Sequence, residues 1–101
     1  MKDEARMVLR RPMEEAMTGN HFRKAYVSVN VDVDTEGIIY PRFIRWRNGM
    51  VYQIDSILYK CRASSSHVNG GGIRYTVKIR GKESFLFHEG DKWFVEAKSQ
   101  A

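Results

Sequence analysis

Any chemistry in a chain of 101 residues has to come from a short inventory of reactive side chains. For a transition metal that inventory is His21, His67, His88 and Cys61. No two of them stand at the short spacings that bring ligands onto one ion, so no metal site is expected. Asp32-x-Asp34-x-Glu36-Gly37 with Ile39 matches the first half of a calcium loop, with oxygens at positions one, three and five and glycine at six. Position twelve should be a bidentate Glu and is Phe43, and the flanks alternate like strands where helices are required. The pattern therefore describes an acidic hairpin end whose solvated carboxylates guard a sheet edge.

Nucleophilic catalysis has little more to work with. Lys60 and Arg62 flank Cys61, a setting that activates a thiol only where the sulfur meets solvent, and a lone cysteine is ordinarily packed inside. Ser64, Ser65 and Ser66 precede His67, but neighbours in a loop do not make a triad without an orienting carboxylate. Gly70-Gly71-Gly72 leads into a strand, whereas a phosphate-binding loop opens a helix whose N-terminus holds the anion. No nucleophile, base and orienting group fall together, so neither enzymatic activity nor a cofactor is expected.

Binding chemistry has more material. Tyr26, Tyr40, Trp46, Tyr52, Tyr59 and Tyr75 are too many to bury at once in one small domain, and several stand beside arginines. From Arg42 to Lys82 nine basic residues face one acid, Asp55, giving that segment +8 while the flanks together carry −3. Arg42, Arg45, Trp46, Arg47, Tyr52, Arg62, Arg74, Lys78 and Arg80 are the candidate surface. Such a set stacks bases while cations hold phosphates, or forms a protein hot spot rich in Trp, Tyr and Arg. It equally describes arginines lying across aromatic faces inside one domain. The expected partner is a protein or a second copy of the chain, with nucleic acid as the alternative.

The elements that would position these residues are mostly strands. Ala25, Val27, Val29, Val31 and Val33 alternate with polar residues, the signature of a half-buried strand, and Thr35-Glu36-Gly37 turns the chain. Ile38 to Trp46 is extended again, and Pro41 within it requires an edge or a bulge. Asn48-Gly49 is the strongest hairpin signal, expected as a type I′ turn. Met50 to Arg62 runs on as one long strand whose pattern slips at Ile57-Leu58, the mark of a bulge or twist. Ile73, Tyr75, Val77 and Ile79 alternate with Arg74, Thr76, Lys78 and Arg80, predicting the first set inward and the second outward. Ser84 to His88 and Lys92 to Ala97 complete six extended segments, with Phe85, Phe87, Phe94 and Trp93 expected in the core.

The strings Trp46-x-Asn48-Gly49-x-x-Tyr52-x-Ile54-Asp55, Gly71-Gly72-Ile73-Arg74-Tyr75-Thr76-Val77-Lys78-Ile79 and Lys92-Trp93-Phe94-Val95-Glu96 are the most distinctive in the chain. Over roughly Val27 to Ala97 they resemble small β-rich proteins of clostridia-like Gram-positive bacteria. More distantly they are similar to β-rich domains associated with Y-family, lesion-bypass DNA polymerases. That resemblance implies a DNA-related setting and assigns no site residue.

Six short segments in about 75 residues are too few for a two-sheet sandwich. The expected fold is mainly β: an antiparallel sheet of five to six strands, curled or closed into a small partly open barrel. A single β domain over 22–101 follows an N-terminal tail or short helix over 1–21, where Met13, Ala16 and Met17 share a helical face. No apolar run reaches the roughly 18 residues of a membrane span, and charges interrupt the N-terminal segment as no signal peptide allows. One cysteine makes no internal disulfide, and a cytoplasmic protein is expected.

Overall fold

The computed structural model describes residues 22–63 and 72–98. The tail or helix expected over 1–21, and the Ser/Gly loop with His67, lie outside the described residues. Seven strands form one antiparallel sheet: β1 (Phe22–Val33), β2 (Ile39–Arg45), β3 (Val51–Gln53), β4 (Ser56–Arg62), β5 (Ile73–Ile79), β6 (Lys82–Glu89) and β7 (Lys92–Lys98). Their spatial order is β3-β2-β1-β7-β6-β5-β4, and the sheet curls into a half-barrel.

The count is seven instead of five to six because the long strand expected from Met50 to Arg62 breaks at Ile54-Asp55. β3 and β4 are the two outer strands of the sheet, yet only these two residues separate them. The Ile54 N–H donates to the Arg42 carbonyl on β2 (2.9 Å), and the Asp55 N–H donates to the Lys78 carbonyl on β5 (2.7 Å). One dipeptide thus ties both sides of the curl together, which a flat sheet would not permit. Curvature comes also from β1, whose residues 22–27 pair with β7 while residues 28–33 pair with β2.

Both irregularities signalled by the sequence are bulges. Asn30 pairs with Phe43 and Val31 with Pro41, leaving Arg42 as the extra residue beside a proline that has no N–H to give. On β4, Ile57 pairs with Val77 and Tyr59 with Thr76, so Leu58 is the extra residue where the alternation slipped. The turn at Asn48-Gly49 differs from expectation. Only Gly49 has positive φ (90°), the Gly49 N–H donates to the Trp46 carbonyl and the Trp46 N–H to that of Met50. That is a three-residue hairpin ending on a left-handed glycine. The pair of positive φ values that a type I′ turn demands occurs instead at Arg80 (53°) and Gly81 (79°), where the Asp55 carboxylate accepts the Arg80 N–H at 3.0 Å.

The concave side holds the main core, with Ala25, Ile44, Trp46, Tyr52, Ile54, Tyr75, Val77, Ile79, Leu86, Val95 and Ala97 drawn from every wall of the curl. The inward register of β5 is as its alternation predicts. Phe85, Phe87 and Phe94 form a second buried cluster with Ala63 on the opposite side of the sheet, where Phe87 and Phe94 stack at 4.8 Å. β6 is therefore covered on both faces, which is why Phe85-Leu86-Phe87 is continuously apolar. Trp93 packs with the concave core instead of with those three phenylalanines.

Candidate functional site

The nine residues of the candidate surface divide between the core and several elements of the sheet. Trp46 and Tyr52 are only 6% and 4% exposed, so they belong to the core and not to the surface expected of them. Arg42 and Arg45 lie on β2, Arg47 in the turn that follows, Arg62 at the end of β4, Arg74 and Lys78 on β5 and Arg80 in the β5–β6 turn. Through the sheet β2 and β5 are separated by β1, β7 and β6. The curl nevertheless brings β2 and β5 near each other across its open side, where the consecutive Ile54 and Asp55 N–H groups bond the Arg42 and Lys78 carbonyls.

The cations instead settle on rings of their own domain. Arg42 lies over Tyr40 (5.9 Å to the centroid), Arg45 over Phe43 (5.8 Å), Arg47 over Trp46 (4.9 Å) and Arg80 over Tyr52 (4.9 Å). Lys60 lies over Tyr75 at 5.8 Å and Arg74 over Phe85 at 4.3 Å. A guanidinium is weakly hydrated and flat, so it caps an aromatic face at little cost, and its methylene stem covers apolar surface. The Nε of Arg74 is buried with no hydrogen-bond partner, which fits an arginine used for packing better than one used to hold phosphate. Lys24 is similarly occupied: its ammonium lies 4.6 Å from the Phe94 ring and bonds Glu89 and the Tyr26 hydroxyl, each at 3.4 Å. Burial works against its charge, but those bonds prevail and raise its pKa.

The acidic hairpin end is built by one carboxylate. Asp34 Oδ1 accepts the N–H groups of Glu36 and Ile38, both at 2.9 Å, and its Oδ2 accepts the Tyr40 hydroxyl at 3.2 Å. The Ile38 N–H leads the donors that hold the Asp34 carboxyl below the usual range, and the same carboxylate pushes the Tyr40 phenol up. Asp32 pairs with Arg42 at 2.7 Å. The Asp34 oxygens are thus spent on turn geometry and the Asp32 carboxylate on an ion pair, where solvated carboxylates guarding an edge were expected. Among the described residues no three or more of His, Cys, Asp and Glu gather as a metal site would need. His88 lies on the face of Leu86, and its ring stacks on Trp93 (4.0 Å, 7°). Burial pushes its imidazole below the ordinary value against the pull of Asp91 and the Gly90 backbone. Cys61 is half-buried.

The feature missed from sequence is a projecting arm. Among the described residues, the end of β1 and the start of β2 pair only with each other, from Val31 opposite Pro41 to Val33 opposite Ile39. Register places Val31, Val33 and Ile39 on the concave face, in line with Val29 and Ile44 of the core, while Asp32, Asp34 and Tyr40 occupy the other face. Val31 is 36% and Val33 58% exposed, whereas Pro41 opposite Val31 is fully buried and Ile39 half-buried, so the face opens to solvent along the β1 side of the arm. Its only sequence signal was the valine alternation running unbroken up to the acidic turn, which tells of one apolar face but not of what covers it.

Comparison of the chain with protein-family models, with curated proteins and with solved structures finds no match. Among the described residues no helix is long and apolar enough to cross a membrane.

Proposed function

We propose that the chain is a cytoplasmic, non-catalytic protein-interaction module that docks through the β1–β2 arm. The observation that carries this reading is the exposure of Val31 and Val33, which carry the apolar alternation of β1 past the end of β7, while Ile39 beside them is half-buried and Pro41 is buried. Scattered surface apolar residues are ordinary, but an uncovered extension of a core marks a place where another surface fits. The remaining exposed aromatic and aliphatic residues, among them Tyr26, Leu58 and Tyr59, supply anchors of the kind protein interfaces use.

A nucleic-acid interface draws support from the +8 of residues 42–82 and from the resemblance to polymerase-associated domains. Against it, the basic side chains cap rings of their own domain, and Trp46 and Tyr52 are buried, so neither of those two rings is free to stack a base. The protein-interaction reading is the better supported.

The test compares wild type with the double variant Val31→Ser/Val33→Ser, immobilised as baits and in sedimentation velocity. An associate retained or formed by wild type and lost by the variant, whether another protein or a second copy, supports the arm as the docking surface. Identical retention by both baits together with a concentration-independent mass for both proteins refutes it.

A further inference from the structure

We draw no further inference here: the strongest candidate, the exposed valine face of the β1–β2 arm with the cleft beside it where β7 begins at Lys92, carries none because nothing in the structure shows what covers it.

Discussion

Val77 and Lys78 are adjacent on β5 and should respond to substitution in opposite ways. Val77 is fully buried on the concave side, paired with Ile57 on β4 and Ser84 on β6. Val77→Ala removes two methyl groups from contact, about 1.6 kcal/mol at roughly 0.8 kcal/mol per buried carbon. The space left behind adds about 1 kcal/mol at roughly 24 cal/mol per Å³, for a total near 2.5 kcal/mol. In a domain of this size that lowers the Tm by about 10 to 20 °C. Lys78 points to the other face and pairs with Glu83, so Lys78→Ala should cost no more than about 0.5 kcal/mol. Lys78→Asp sets two acids opposite each other and should cost up to about 1 kcal/mol, still well short of Val77→Asp, which buries an unpaired charge. Urea unfolding followed by far-ultraviolet circular dichroism gives each ΔG, with unchanged m-values certifying that the native and unfolded states are comparable. Equal midpoints for Val77→Ala and Lys78→Ala would refute the register and, with it, the curl that gives β5 a concave face.

Three further perturbations probe other parts of the molecule. Asp55→Ala removes the carboxylate that accepts the Arg80 N–H and should lower stability by about 1 kcal/mol, while Asp55→Asn, which keeps an acceptor oxygen, should recover much of it; equal losses would mean the contact is not a hydrogen bond of consequence. Because burial depresses the His88 pKa below 6.5, the unfolded chain takes up the proton first; the neutral ring's contribution is complete above pH 6.5 and is lost as pH falls through the lower native value. His88→Phe should flatten the decline of Tm below pH 6.5 relative to wild type, and an unchanged slope would remove His88 as its source. Titration of a labelled oligonucleotide at low salt should show no saturable binding at tens of micromolar protein, whereas binding that weakens with a log–log slope of about −0.7 per phosphate contact would restore the nucleic-acid reading.

Much of the fold was legible because it depends on short-range geometry. A period of two makes a strand whatever lies beside it, and Ala25 to Val33 and Ile73 to Ile79 are strands for that reason. Pro41 has no N–H for a ladder, and an extra residue at Leu58 must break the alternation, so both bulges were written in the residues themselves. The turn at Asn48-Gly49 was placed correctly but not its type, because the hydrogen bonds to Trp46 fix which residue takes the left-handed conformation.

Tertiary structure alone decided what each face meets. Trp46 and Tyr52 look the same in sequence whether they stack on a ligand or fill a core; they are buried because Ile54-Asp55 draws β2 and β5 together over them. The arginines of residues 42–82 form a block along the chain, but in the fold local rings take up several of their guanidinium groups. Val31 and Val33 carry the same pattern as Val27 and Val29 and end up uncovered, because β7 runs beside only the first half of β1. Side-chain alternation is set by bonds within one strand, whereas burial is set by neighbours far away in sequence, so the residues specified the faces and only the curl of the sheet determined which part of them stayed open.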